Sequence, residues 1–114
     1  MDKIKRVLMT RQGERFFYRE NTGDLHTEYG FVKKEEIEKA EPGAMLKTNM
    51  NKELYVIEPS FADEYSRIKR GAQIIPLKDV GHIIAETGIN HKSRVLDAGA
   101  GSGGLACILA HIVK

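Results

Sequence analysis

Residues 94–105 read RVLDAGAGSGGL. Within a few positions the chain passes from an apolar run, Val95-Leu96, to an acid, Asp97, and then to glycines at 99, 101, 103 and 104. Beyond them Leu105, Ile108, Leu109 and Ile112 recur at the spacing of one helix face. The pattern predicts a short strand over 94–98, a loop over 99–103 and a helix over 104–113, which is how an α/β fold begins. A loop of this kind presents backbone N–H groups to a ligand and keeps Cβ atoms out of its way.

Three ligand chemistries compete for the loop. A phosphate-binding P-loop requires Lys and Ser/Thr after its last glycine, and Leu105-Ala106 stand there instead. A dinucleotide site requires G-x-G-x-x-G, which Gly99, Gly101 and Gly104 satisfy. An S-adenosylmethionine (SAM) site of the form acid-x-G-x-G-x-G is satisfied by Asp97, Gly99, Gly101 and Gly103. Two features favour SAM. Asp97 suits the ammonium of a methionine moiety better than a pyrophosphate. A whole module also precedes this strand, whereas many dinucleotide folds place it near the chain start. The dinucleotide reading stays open on these residues alone.

Working upstream, Asp79–Thr87 predicts a helix with Asp79 as N-cap and Val80, Ile83 and Ile84 on one face. Gly88 and Asn90 suit its end. Ile74-Ile75-Pro76 reads as extended because a residue before proline avoids the helical region. Phe61, Tyr65 and Ile68 predict a helix over 61–68. Residues 1–58 have another character, with strands expected at 4–9, 15–19, 25–32 (broken or bent near Gly30), 44–48 and 53–57, and a short helix at 34–40. The turns carry Gly13, Asn21-Thr22-Gly23-Asp24 and Asn49–Lys52. In the run Phe16-Phe17-Tyr18, alternate side chains must face opposite sides, so at least one belongs to a core. The expected fold is α+β: a small β-rich domain over 1–58, then the incomplete start of an α/β Rossmann-like domain over 59–114.

The chain has 114 residues, 41% hydrophobic and 30% charged, as suits a folded globular protein. Its net charge of +2 is too small to argue nucleic-acid binding by itself. Lys and Arg nevertheless gather near the N-terminus and again at Arg67, Lys69, Arg70 and Lys78. One cysteine, Cys107, excludes an intrachain disulfide. Cys107 and His111 share a helix face, but no second pair accompanies them; a buried cysteine and an incidental histidine are expected rather than a metal site. His26 and His82 are expected to be structural. No apolar run approaches the roughly 20 residues of a membrane span, and the N-terminus is too poor in apolar residues for a signal peptide. A cytoplasmic protein is expected.

RVLDAGAGSGGL resembles motif I of the class I SAM-dependent methyltransferases. KRGAQIIPLKDVGHII (69–84) resembles the segment before motif I in the tRNA (adenine-N1)-methyltransferases that modify the T-loop, of the archaeal and bacterial homotetrameric type. HTEYGFV (26–32) resembles the His-Thr-x-x-Gly segment of that family's small β-rich domain. The resemblance implies SAM as cofactor, tRNA as partner and a homotetramer. It places Gln73, Ile74 and Ile75 against the cofactor. It places Asp97, Gly99, Ala100, Gly101, Ser102, Gly103, Gly104 and Leu105 around its methionine end. Asp97 stands where the family often has Glu, and Ala100 where Thr is common. Arg67, Lys69 and Arg70 become candidate contacts to tRNA phosphates.

The family's ribose-binding acid is expected roughly 20 residues past the loop, and its catalytic aspartate further on; both would lie beyond Lys114. The chain is therefore expected to be the N-terminal part of such an enzyme and inactive alone. A single strand is also expected to leave the face of Leu105, Ile108, Leu109 and Ile112 uncovered. Two alternatives remain: a non-catalytic RNA-binding module, and a fragment of a dinucleotide-dependent oxidoreductase.

Overall fold

A computed structural model describes residues 3–68 and 74–113. The chain divides into two compact units, Met1–Glu64 and Tyr65–Lys114.

The first unit is built on an antiparallel sheet in the order β2-β1-β6-β5, with β1 at Ile4–Met9, β2 at Arg15–Arg19, β5 at Met45–Lys47 and β6 at Glu53–Ile57. The register sets Leu8 opposite both Phe16 and Val56, and Leu46 opposite Leu54. The strand period of two therefore gathers Leu8, Tyr18, Leu54 and Val56 into one core. Phe16 packs against it, so the aromatic run sends Phe16 and Tyr18 to the core. Val32 and Ile37 complete the core. They come from β4 (Gly30–Val32), which pairs with β3 (Leu25–Thr27), and from α1 (Lys34–Lys39). Burial, and then the charge of Glu38, push the Tyr18 phenol above its usual value.

One device closes both main hairpins. Thr10 and Thr48 are buried, and their hydroxyls accept backbone N–H groups from the turns that follow. Thr10 Oγ1 takes Glu14 N at 3.1 Å; Thr48 Oγ1 takes Met50 N at 3.2 Å and Lys52 N at 3.1 Å. A buried hydroxyl satisfied in this way replaces the ladder bonds that a turn lacks.

The run over 25–32, expected to be broken or bent near Gly30, is broken into two strands at this point. Thr27 Oγ1 accepts from Tyr29 N at 3.0 Å and donates to Gly30 O at 2.8 Å, closing a tight turn inside the run. Gly30 takes φ +101°, and its missing Cβ leaves room for Asn49, whose Oδ1 accepts from Phe31 N at 2.8 Å. The break is a hairpin reversal.

The second unit begins inside α2 (Phe61–Tyr65), which starts on a reciprocal cap made within the first unit: Ser60 N donates to Asp63 Oδ2 at 2.7 Å, and Asp63 N to Ser60 Oγ at 3.3 Å. α2 is shorter than the expected 61–68. α3 runs Leu77–Thr87 and ends on Gly88 at φ +66°. Its N-cap is Pro76, and Asp79 lies in the first turn, where its carboxylate opposes the helix dipole. Pro76 sets the start because its fixed φ suits helix entry and it has no N–H to leave unpaired. α4 runs Gly104–Ile112.

The expected strand over 94–98 is not a strand here. Among the described residues nothing pairs with it, Val95 is 40% exposed and Leu96 is 90% exposed. A β-strand exists only through its neighbours, and apolar residues alone do not make one. The expectation about α4 is overturned for Ile108 and Leu109, which are buried, while Leu105 and Ile112 are half-buried. Cys107, expected to be buried, is exposed.

Candidate functional site

Everything that positions the glycine loop is local to the second unit. After α3, Asn90 organises a turn: its backbone N donates to Ser93 Oγ at 3.0 Å, its Oδ1 accepts from Lys92 N at 2.9 Å, and its Nδ2 donates to Gly88 O at 3.0 Å. The chain then runs without regular secondary structure to Asp97. Gly99, Gly101 and Gly103 follow at φ +86°, +58° and +81°, conformations that side chains with a Cβ rarely adopt. Gly103 N donates to Ala100 O at 2.9 Å, and Gly103 O accepts from Cys107 N at 2.9 Å, which ties the loop to the first turn of α4.

The glycines do different work. A Cβ on Gly99 or Gly103 would meet no atom within 4 Å. Packing inside the chain does not demand glycine at those two positions; backbone conformation does, and open space lies beside it. Gly104 is the reverse. It is buried, and a Cβ there would sit 3.1 Å from Ile74 Cγ2 and 3.2 Å from Tyr65 Oη. Gly104 is a packing glycine that lets α4 start against Tyr65 and Ile74.

Beside the loop is a cleft of about 150 Å³. Ile74, Ile75 and Leu105 give it apolar walls; Asp97, Gly99, Ala100, Gly101, Ser102 and Gly104 supply the rest. Of the residues expected at a cofactor, Gly103 does not line the cleft and Gln73 lies outside the described residues. Lys69 and Arg70 also lie outside them, and Arg67 is half-buried just after α2. Tyr65 is the residue that sequence reasoning missed. Its phenol donates to Ile75 O at 2.7 Å and holds the Ile74-Ile75 wall in place. The sequence signal was the helical spacing of Phe61, Tyr65 and Ile68, which speaks of a buried face and not of a positioning hydrogen bond. Ile74 and Ile75 also border a second hollow of about 320 Å³, with Tyr65, Ser66, Pro76 and Leu77.

Asp97 carries the electrostatics. Its Oδ2 is buried and has no hydrogen-bond partner among the described residues. A buried carboxylate oxygen without a donor is costly, and its presence marks a place where a donor or a cation is to be received. The donor set fits the methionine end of SAM: an ammonium for Asp97, backbone approach along the glycines, and an apolar wall. At about 150 Å³ the cleft is smaller than the roughly 300 Å³ at which ligand pockets begin, so these residues accommodate part of such a molecule. Among the described residues there is no cluster of acidic, His or Cys side chains able to hold a metal, and no helix is long and apolar enough to cross a membrane.

Known proteins resemble this chain in sequence and fold. The chain is 33% identical over 108 residues to the tRNA (adenine(57)-N(1)/adenine(58)-N(1))-methyltransferase TrmI of Methanocaldococcus jannaschii, covering 95% of this chain and 37% of that protein. It is 32% identical over 108 residues to the tRNA (adenine(58)-N(1))-methyltransferase TrmI of Thermus thermophilus, covering 94% of this chain and 42% of the relative. It thus spans well under half the length of these curated relatives. Among solved structures, a SAM-dependent O-methyltransferase from Thermotoga maritima superposes with a TM-score of 0.82 at 29% identity, over 99% of this chain and 43% of that one. The expected fold class, a β-rich module followed by the start of a Rossmann-like methyltransferase domain, is borne out by that superposition. Finally, the model of the family described as protein-L-isoaspartate(D-aspartate) O-methyltransferase (PCMT) matches residues 23–114. That match takes in most of the chain, so the chain belongs to this family of class I methyltransferases.

Proposed function

We propose that the chain supplies the N-terminal module and the cofactor loop of a SAM-dependent methyltransferase acting on N1 of adenine in the tRNA T-loop. The observation that carries the cofactor is the partnerless, buried Asp97 Oδ2 beside the glycine cleft. The family model is named for another substrate and the Thermotoga structure only for O-methylation, so the choice of tRNA rests on the curated relatives, at 33% and 32% identity against 29% for that structure, together with the resemblance of residues 26–32 and 69–84. The family model begins at residue 23 and leaves out β1 and β2. The tRNA methyltransferases match over 108 residues, nearly the whole chain.

When bound, SAM supplies a methyl group made electrophilic by its sulfonium. The chain's own residues do the rest. Asp97 accepts N–H donors from an ammonium. Gly99 and Gly101 let backbone groups approach a ligand closely, and Tyr65 holds Ile74 and Ile75 as a water-excluding wall. Adenine N1 carries a lone pair and needs no general base to attack, so positioning of the reactants is the main task. The base must leave its folded context for N1 to be reached. Gln73 belongs to the cofactor side by resemblance, and Arg67, Lys69 and Arg70 to the tRNA side. The reading includes a homotetramer, as the resemblance implies, and a cytoplasmic location, as the composition suggests.

The test has two parts. Calorimetry of the chain with S-adenosylhomocysteine should show binding that Asp97→Asn weakens by about tenfold or more, the loss of a charge-assisted contact. A chimera joining this chain to the remainder of the Methanocaldococcus relative should methylate a tRNA transcript, whereas the 114-residue chain alone should not. A chimera that folds and binds the cofactor but leaves tRNA unmethylated sinks the tRNA reading. Replacing Arg67, Lys69 and Arg70 together in the chimera should weaken tRNA binding and flatten its salt dependence.

A further inference from the structure

At one end of the first unit's sheet lies a cavity of about 350 Å³ lined by Lys3, Lys5, Arg6, Glu20 and Glu58, with Ile4 and Pro59 as its apolar part. Its origin is in the strand register. β1 pairs with β6 only from Val7 (opposite Ile57) to Met9 (opposite Tyr55). Ile4, Lys5 and Arg6 therefore have no β6 partner, and β6 ends at Ile57 just before Pro59, which has no N–H to extend a ladder. On the other side the β1–β2 register shifts between Ile4 and Arg6, an irregularity of the kind that re-aims side chains.

The groups there are unequally satisfied. Lys5 Nζ pairs with Glu38 at 3.2 Å. Arg6 Nη1 donates to Lys5 O at 3.0 Å, but Arg6 Nε is buried and has no acceptor among the described residues. Lys3, Arg6, Glu20 and Glu58 make no ion pair among the described residues. A guanidinium held by one nitrogen, with a buried donor still open, matches the oxygens of a phosphate group. Lys3 adds a second cation. The two carboxylates disfavour a dianion. They suit a singly charged phosphodiester whose neighbouring hydroxyls donate hydrogen bonds, and ribose has such a hydroxyl where deoxyribose does not.

We infer that this cavity, between the start of β1 and the ends of β2 and β6, holds a phosphodiester of RNA. Arg6 and Lys3 receive the phosphate, and Glu20 and Glu58 face the ribose hydroxyls. The inference takes its partner from the tRNA reading above; its geometry is independent of the glycine cleft.

The side-chain Nε–H signal of Arg6 and the amide of Lys3 report directly in NMR spectra of the 114-residue chain. Three probes are titrated: a T-arm stem-loop RNA, DNA of the same sequence, and inorganic phosphate. The expected result is a saturable shift of both signals with RNA, a weaker one with DNA and the weakest with phosphate. Arg6→Gln and Lys3→Gln should each weaken RNA binding about tenfold, as expected for one charge-assisted hydrogen bond. Lys3 is exposed, so its variant reports even if Arg6→Gln fails to fold. No shift at Arg6 with RNA, or unchanged RNA affinity in Lys3→Gln, overturns the site. Equal shifts with RNA and DNA overturn the ribose contact, and a response to phosphate alone overturns RNA as the source. Both variants should bind S-adenosylhomocysteine like the parent chain, so loss of this site and failure of the methyltransferase reading give different results.

Discussion

The two units satisfy their backbone and their apolar residues in different ways. In the first, every strand has a partner, both main turns are closed by a buried threonine, and the core residues Leu8, Leu54 and Val56 are fully buried. In the second, the apolar pair Val95-Leu96 has no ladder among the described residues and lies open, while its loop holds a buried carboxylate oxygen with no partner among them. The first unit closes its backbone ladders and its apolar core within itself, although Arg6 Nε is left unmet among the described residues. The second keeps apolar and polar groups in reserve for something that binds.

The largest way to test that contrast is a pair of truncations. Leu54→Ala removes a side chain with 0% exposure from a packed core and should cost about 2–5 kcal/mol in urea unfolding followed by circular dichroism. Leu96→Ala, at 90% exposure, should change stability by no more than about 0.5 kcal/mol. The same chemical change thus separates the units by several kcal/mol. A large loss for Leu96→Ala would mean that Leu96 is packed, and the contrast would fail.

The sequence showed most of the first unit because its signals are local. Residues 4–9, 15–19 and 53–57 are short runs rich in apolar and aromatic residues set between turn residues, and these three strands lie where expected. The hairpin within 25–32 was hidden because Thr27, whose hydroxyl closes the turn, also reads as a good strand residue. The second unit was legible as a motif. The string 97–105 revealed the loop and the helix start, and the loop appears over those residues. It did not reveal that 94–98 lacks a pairing partner, since pairing is a non-local property. Nor did it distinguish Gly104, fixed by Ile74 and Tyr65, from Gly99 and Gly103, which have open space beside them.

That difference between glycines sharpens the contrast at intermediate cost. Gly30→Ala places a Cβ at φ +101° directly against Asn49 Oδ1, the acceptor for Phe31 N. Strain of about 1–3 kcal/mol is expected, with the contact adding to it, and the melting temperature should fall accordingly. Gly99→Ala meets no atom within 4 Å, so only the φ of +86° resists it. Its stability loss should be the smaller of the two. Its effect on S-adenosylhomocysteine affinity should be the larger, because the new methyl enters the space beside the cleft. Calorimetry and thermal melts on both variants give the comparison; equal affinity in Gly99→Ala and the parent chain would show that the open space is not used by the cofactor.

The smallest expected change in stability is the most informative about the second unit. Asp97→Asn keeps the size of the side chain and removes its charge. Thr48→Ala in the first unit deletes a buried acceptor used by two backbone donors and should cost about 1–3 kcal/mol, the desolvation cost of donors left unmade. In Asp97 the buried oxygen has no donor to lose. Replacing a partnerless carboxylate with a neutral amide relieves a desolvation cost, so the stability of Asp97→Asn should stay level or rise slightly. A fall comparable to that of Thr48→Ala would mean that Asp97 already holds part of the fold together, and its role would then be structural. Level stability combined with lost S-adenosylhomocysteine binding would mark Asp97 as a group kept for the ligand at the expense of the fold.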